Sequence, residues 1–419
     1  MDFSLSIIIP TINKCSELIS ETIRIFRLKK IDFEVILICD SNEMYRYHKG
    51  ELKSNPYLKV LASRFDYSGP GSCRNIGIEN SSKSLITFLD ADDEILIRDD
   101  IDYYDYSGQD ILLFDFDHPN RSFARIYDSK ILQSVDTEFI IGSLNTDKIF
   151  LSHCLGVILK RDFLMKEDIR FPETSIVEDI TFMSEVLLKG TKISRANWFK
   201  YKYSMNLGTT KNTIEQRSLT DIVSCKSRIK GLSPRTREQK IYIDRVEYFL
   251  DLLYFSRLPV LYDDTNLQGS LSEDTWLDKH RVSANYSFTF MSNLMSFETV
   301  IFGLLNEEHQ GYERVFLLYC AGAIAELWKK PLIKKEFPVY VVDDRLGDID
   351  LSIYTLKDVK NIIFQRFGLN VCVISLILNL DEITSKNLSM RVSQEFHEFK
   401  TKVYTVPELY LRWKSHLFQ

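Results

Sequence analysis

The feature that most constrains this chain is an alternation in its first two hundred residues. LSIIIP (Leu5 to Pro10), EVILICD (Glu34 to Asp40), LKVLASRF (Leu58 to Phe65), SLITFLD (Ser84 to Asp90) and DILLFDF (Asp110 to Phe116) are short apolar runs set apart by polar or helix-patterned segments. Continuous apolar runs mark strands covered on both faces, and strands joined through helical crossovers run parallel in one sheet. The expected fold class is therefore α/β, a doubly wound, mainly parallel sheet. Pro10 is expected to end the first strand, and Ser16 to cap a helix carrying Leu18, Ile19, Ile23 and Phe26 on one side, with Lys29 and Lys30 at its end. Ligands in such sheets bind beyond the carboxyl ends of the strands. Two of the runs deliver an acid there, Asp40 and Asp90.

A chain of 419 residues exceeds one ordinary core. From Ser218 to His309 the texture changes to helical spacing, as in IYIDRVEYFLDLLYF (Ile241 to Phe255) and NLMSFETVIFGLLNEE (Asn293 to Glu308). The last hundred residues return to α/β order. RVFLLYCAGAIAELWKK (Arg314 to Lys330) reads as strand, small-residue turn and helix, and PVYVVDD (Pro338 to Asp344) as a second strand, with Asp343 about where a ribose-binding acid would fall. The turn Cys320-Ala321-Gly322-Ala323-Ile324-Ala325 holds one glycine where the dinucleotide fingerprint needs three, and Cβ atoms obstruct a pyrophosphate. The expectation is a Rossmann-like region without cofactor.

A net charge of −6 argues against a protein that coats nucleic acid, which needs a concentrated excess of Lys and Arg. The seven scattered cysteines show no metal-ligand spacing and read as reduced core or near-core thiols of a cytoplasmic protein. The start MDFSLSIII lacks a positive n-region, so no signal peptide is expected. The longest nearly apolar run, Val315 to Trp328, is too short to span a bilayer and contains Glu326, which leaves only peripheral membrane association open.

Three segments could carry chemistry. Asp90-Ala91-Asp92 places two carboxylates just past a strand; a hard divalent cation that also binds phosphate needs only one or two. Acidic triplets also occur as solvated turns. An EF-hand fails, because Ile95 and Ile101 stand at the sixth and twelfth positions counted from Asp90. Glu178-Asp179 fall in the first turn of a helix marked by Ile180, Met183 and Leu187 and stopped at Gly190. Acids sit there simply to complement the helix dipole, and the same dipole keeps a carboxylate ionised as a general base requires. YSGPGSCRNIGIENSSKS (Tyr67 to Ser84) fits neither dinucleotide nor P-loop spacing; it reads as a flexible turn into a short helix, Cys73 to Asn80, that lets Arg74 face an anion. His153 reads as a packed residue. Asp93, Glu94, Asp99 and Asp100 are expected in solvent.

In this order, SIIIPTIN, EVILICDSN, GPGSCRNIGIENSSKSLITFLDADD and HCLGVILKRDFLMKEDIRFPETSIVED resemble a family 2 glycosyltransferase of the GT-A fold, over roughly residues 4 to 205. The resemblance implies a GT-A domain at 1–217; the helical spacing that follows marks a connector or subdomain at 218–309, and the strand-turn-helix layout marks the Rossmann-like region at 310–419. It implies that Pro10 and Thr11 line the nucleotide base, that Asp40 holds base or ribose, and that Arg74 and Asn75 flank the donor. Asp90, Ala91 and Asp92 match the Asp-x-Asp motif, with Asp92 on a Mn²⁺ or Mg²⁺ ion and Asp90 toward the sugar or ribose and the metal. Asp179, with Glu178 beside it, matches the catalytic base. The implied reaction is single displacement with inversion, from a nucleotide-sugar, expected to be a UDP-sugar, to a glycan or lipid-linked glycan in surface polysaccharide synthesis such as capsule or lipopolysaccharide.

Departures are present. Asp40-Ser41-Asn42 replaces the familiar Asp-Asp-Gly-Ser turn, and the Gln-x-x-Arg-Trp motif of processive synthases is missing, since Leu409 precedes Arg412-Trp413 at the required position. The competing reading is a non-enzymatic nucleotide-sugar or glycan-binding protein. For the C-terminal region, nucleotide binding and packing into a homo-oligomer are the two alternatives.

Overall fold

The computed structural model describes residues 3–52, 55–64, 68–98, 108–117, 135–146, 151, 153–204, 216–259, 312–319, 323–343, 353–378 and 382–417. They fall into two compact units, Met1–Leu207 with Ser224–Glu247, and Gly208–Val223 with Tyr248–Gln419.

The first unit is built on β1 (Ser4–Thr11), β2 (Asp32–Cys39), β3 (Leu58–Ala62), β4 (Leu85–Phe88), β5 (Glu94–Ile97), β6 (Ile111–Asp117), β7 (Val135–Asp136), β8 (Val157–Lys160) and β9 (Lys192–Lys202). Their order is β3-β2-β1-β4-β8-β6-β9-β5, with β7 pairing β9. β3, β2, β1 and β4 run parallel, as do β6 and β9; β8 runs antiparallel to both β4 and β6. The expected α/β sheet is thus present. Its apolar runs are buried as expected: Ile7, Ile8, Ile9 and Val35 to Cys39 expose 0% of their surface.

Two local expectations are corrected. Pro10 does not end β1, which pairs with β2 as far as Thr11 opposite Cys39. β4 reaches only to Phe88 opposite Ile8, so Pro10 lies beyond that neighbour and its missing N–H breaks no ladder on that side. Ser16 does not cap the following helix but begins it, Ser16–Leu28, behind Cys15, which offers no side-chain cap. The Ser16 hydroxyl instead lies 3.4 Å from Nδ1 of His48.

Helix Pro70–Asn80 packs directly on β1 and β2. A Cβ at Gly77 would stand 2.3 Å from Cγ2 of Ile8, so only glycine admits this close approach. One turn earlier on the same helix is Arg74. Helix Glu178–Lys189 is almost wholly buried, with Ile180, Met183 and Leu187 inside as expected.

The second unit holds β10 (Glu313–Tyr319), β11 (Val339–Val342), β12 (Val371–Ile377) and β13 (Lys400–Thr405), all parallel in the order β11-β10-β12-β13. Helices Ala323–Lys334, Leu356–Phe367, Glu382–Glu395 and Val406–Leu417 connect or follow them. Val315, Leu317, Val359, Ile363, Val373 and Phe396 lie in its core. Asp343 is buried just past β11. The Cys320-Ala321-Gly322 turn, Asp99 and Asp100, and the helical reading of Asn293 to Glu308 lie outside the described residues. Of the middle segment, Gln216–Lys230 and Arg237–Arg257 are helices. Among the described residues no helix is long and apolar enough to cross a membrane.

Candidate functional site

Parallel strands β2, β1 and β4 point their carboxyl ends to the same edge of the sheet, and the acids expected beyond such ends follow β2 and β4. Asp40 follows β2, Thr11 closes β1, and Asp90 lies just past β4. Asp40 is buried and accepts from the N–H groups of Ser68 at 2.7 Å and Gly69 at 2.9 Å. It therefore fastens the turn that opens helix Pro70–Asn80, where Gly69 adopts φ +91° and Pro70 takes a first-turn position. Thr11 is turned into its own loop: its hydroxyl donates to the Asn13 carbonyl at 2.8 Å and accepts the Asn13 N–H at 3.0 Å. Buried His48 contacts that carbonyl through Nε2 at 3.0 Å.

The other end of the helix's buried face meets the segment before Glu178. The Asn75 side-chain amide donates to the Phe171 carbonyl and accepts the Phe171 N–H, both at 2.9 Å. A Cβ at Gly71 would come 2.7 Å from the Pro172 carbonyl oxygen, so helix and segment lie flush. The chain then passes through Val177, whose φ of 57° is left-handed, before helix Glu178–Lys189 begins. A β-branched residue in that region is strained, and here the strain stands directly before the two acids.

These supports bring four charged residues together. Arg74 Nη1 lies 3.0 Å from Glu178 Oε1 and 2.8 Å from Asp179 Oδ1, and Nη2 lies 2.9 Å from Asp90 Oδ1. The Arg74 side chain is 3% exposed, whereas Asp90 is 26% and Asp179 16% exposed, so the two acids form the accessible side. The guanidinium also lies over Phe171, 5.4 Å from the ring centre. Its Nε is buried without a hydrogen-bond partner among the described residues. Arg74 thus faces three carboxylates and cannot neutralise them all.

Burial opposes ionisation of Asp179, but the charge of Arg74, with His153 and Cys154 adding to it, outweighs burial and holds the carboxyl well below its ordinary range. Glu178 goes the other way: burial and the adjacent charge of Asp179 raise it despite Arg74. The pair is thereby split into an ionised Asp179 and a more proton-retentive Glu178. Cys154 donates its thiol to Asp179 Oδ1 at 3.4 Å, and burial keeps that thiol protonated. His153 Nδ1 is 3.9 Å from the other oxygen, Oδ2, with its ring stacked on Phe116. The lone histidine read as packed is packed, and it also borders the expected base.

Asp93 corrects a sequence expectation. It is not in solvent but 0% exposed. Its Oδ2 accepts the Tyr201 hydroxyl at 2.6 Å and its Oδ1 the Ser204 N–H at 2.7 Å. Burial, opposed by those two bonds and assisted by Asp90 and Asp92, raises its pKa to about 7. Asp92 is exposed, Ala91 lies between the two acids in the turn, and Glu94 is exposed beside Lys202 at 3.1 Å. The alternation in NWFKYK, which buries Phe199 and Tyr201, was the available signal for Tyr201.

Residues 6–163 match the model of glycosyl transferase family 2. No curated protein matches. Among solved structures the chain is similar to S. aureus TarS 1-349, at 21% identity over 66% of this chain and 78% of that chain, with a TM-score of 0.39. It is similar to the same protein in complex with UDP-GlcNAc, at 17% identity over 80% and 92%, with a TM-score of 0.40. A third is the mannosyltransferase PcManGT from Pyrobaculum calidifontis in complex with GDP-Man and Mn²⁺, at 13% identity over 73% and 88%, again with a TM-score of 0.40.

Proposed function

We propose, for a chain whose residues 6–163 match the family 2 glycosyltransferase model, a metal-dependent, inverting transfer from a nucleotide-sugar, a UDP-sugar in the first instance, to a hydroxyl of a glycan or lipid-linked glycan in surface polysaccharide synthesis. The observation that carries this reading is the single buried guanidinium of Arg74 drawing Asp90, Glu178 and Asp179 into one cluster at the carboxyl ends of the parallel strands.

In this reading Asp179 is the base. Arg74 keeps it ionised, so it receives the proton of the acceptor hydroxyl as that oxygen attacks the anomeric carbon. Asp90 meets the sugar or ribose, Arg74, Asn75 and Ala91 flank the donor, and Pro10, Thr11 and Asp40 border its nucleoside. Asp40 and Asn75 serve first by holding backbone, at Ser68 and Gly69 and at Phe171. A direct displacement needs no protein nucleophile.

The donor set suits Mn²⁺ or Mg²⁺. Asp90 and Asp92 offer hard oxygens beside a cluster with surplus negative charge, and no group of three His, Cys, Asp or Glu among the described residues forms a protein-only cage. Two carboxylates suffice for an ion that also takes phosphate oxygens. When bound, such an ion supplies the positive charge that offsets charge growing on the departing diphosphate.

The test is nucleoside diphosphate release from a panel of UDP- and GDP-sugars with Mn²⁺. Release by the native protein that disappears in folded Asp92→Ala and Asp179→Ala proteins supports the assignment. Full activity in both variants would refute these roles, and nucleotide binding without turnover across broad donor and acceptor panels would favour a binding protein. The region 310–419 is assigned to packing or self-association; tight binding of NAD or NADP by the full chain would overturn that.

A further inference from the structure

The Asp-x-Asp turn is fastened at both ends by one phenol. Tyr201, at the end of β9, is fully buried, and its hydroxyl lies in the middle of a short chain of bonds. It accepts the Asp90 N–H at 3.2 Å and donates to Asp93 Oδ2 at 2.6 Å. Asp93 also takes the Ser204 N–H at 2.7 Å, and its own N–H closes the turn onto the Asp90 carbonyl at 3.1 Å. Two positions of one turn, 90 and 93, are thus tied to the end of β9 and to Ser204 just beyond it, while Asp92 between them is exposed.

Burying a carboxylate beside two others is costly, because burial and like charge both disfavour it. A turn that only needed to be tight would be served by a neutral residue at 93. What the carboxylate adds is two acceptor oxygens that reach two separate backbone positions at once, Ser204 directly and Asp90 through Tyr201. We propose that Tyr201 and Asp93 are positioning residues that hold the Asp90 and Asp92 carboxylates ready for a divalent cation and the diphosphate it accompanies. The inference rests on the reading of that turn as the metal site. A carboxylate held in place before the ion arrives loses less freedom on binding, so the effect falls on metal affinity and not on the chemical step.

The experiment compares the full-length native, Tyr201→Phe and Asp93→Asn proteins. Mn²⁺ binding is followed by electron paramagnetic resonance and calorimetry at fixed UDP, and again at fixed GDP, alongside thermal unfolding. Asp93→Asn keeps the size of the side chain and one acceptor, so it serves if Tyr201→Phe fails to fold. The expected result is a 5- to 20-fold rise in the Mn²⁺ concentration for half saturation in each folded variant. In nucleoside diphosphate release, the activity of the folded variants should return to within about 3-fold of native at saturating Mn²⁺, a rescue that a merely structural role would not give. Native Mn²⁺ affinity in the folded variants, whatever their melting temperature, overturns the positioning role alone. A native protein that binds no Mn²⁺ with either nucleotide overturns the metal site and this inference with it.

Discussion

Asn75 pairs with the backbone of Phe171 in both directions, giving and taking a hydrogen bond at 2.9 Å across 96 residues of sequence. That reciprocal pair binds helix Pro70–Asn80 to the segment that leads into Glu178 and Asp179, and so sets where Arg74 meets them. Replacing Asn75 with Ala removes both bonds and leaves buried backbone groups unsatisfied, at a cost of about 2–3 kcal/mol. Chemical denaturation should show that loss. If the assigned roles hold, both kcat and donor KM should worsen, because the placement of Asp179 against Arg74 is loosened and a residue flanking the donor is removed.

Asp93 makes stability depend on pH. Its folded pKa of about 7 exceeds the ordinary Asp value near 4, so between the two the folded state binds more protons than the unfolded one. Its contribution is therefore fully present below about pH 4 and is lost as pH rises through about 7. Asp93→Asn carries no such group, so the difference between the variant and native unfolding free energies should move in the variant's favour over that window. Urea midpoints at pH 4.5 and 8 measure it, and a constant difference would refute it.

Glu34 predicts the opposite sign at lower pH. Despite burial, Lys59 at 2.7 Å and bonds from Ser6 and Ser82 bring its pKa down to about 2. This stabilisation is present above the ordinary Glu value near 4 and disappears as pH falls through about 2. Glu34→Gln should cost about 1–3 kcal/mol at pH 7, where a charge-assisted network is lost. The gap between variant and native should narrow steadily below about pH 4 in acid denaturation.

Val177 stands in left-handed backbone, φ 57°, immediately before the two acids. Glycine adopts that conformation without the Cβ conflict, which relieves about 1–2 kcal/mol and returns part of it as unfolded-chain entropy. Val177→Gly should leave the melting temperature equal or slightly raised. If the strain serves to hold Glu178 and Asp179 toward Arg74, turnover should fall in the same protein.

The strands of the sheet were legible because β1, β2, β4 and β6 are continuous apolar runs, and a run buried on both faces needs no partner to be recognised. The acids at their ends followed from the parallel order alone. What was hidden depends on distant pairing. Asp93 looks solvated among Asp90, Asp92 and Glu94 until Tyr201, 108 residues later, is brought against it. Likewise Arg74 reads as a ligand-facing cation in its own segment. Its commitment to Glu178 and Asp179 arises only when Asn75 and Gly71 seat the helix on residues 171 and 172, more than ninety residues away.

Arg74 itself gives the most severe expected outcome. Its two terminal nitrogens reach three carboxylates on two separate segments, a task that needs a planar, forked cation. Lysine brings one charge on one nitrogen, so Arg74→Lys leaves at least one buried acid without a direct partner. Breaking such a buried network costs about 3–5 kcal/mol, and here the loss falls on the acids, which would take up protons to escape it. The variant should therefore be destabilised most above about pH 8, where Glu178 is ionised, and regain part of its stability below that, where Glu178 holds its proton. Denaturation across that range measures the recovery. In the same protein Asp179 loses the close guanidinium contact that favours its ionised form, so if Asp179 is the base, any residual transfer should require a higher pH than in the native protein. A pH profile unchanged by the substitution would show that Arg74 does not govern the base.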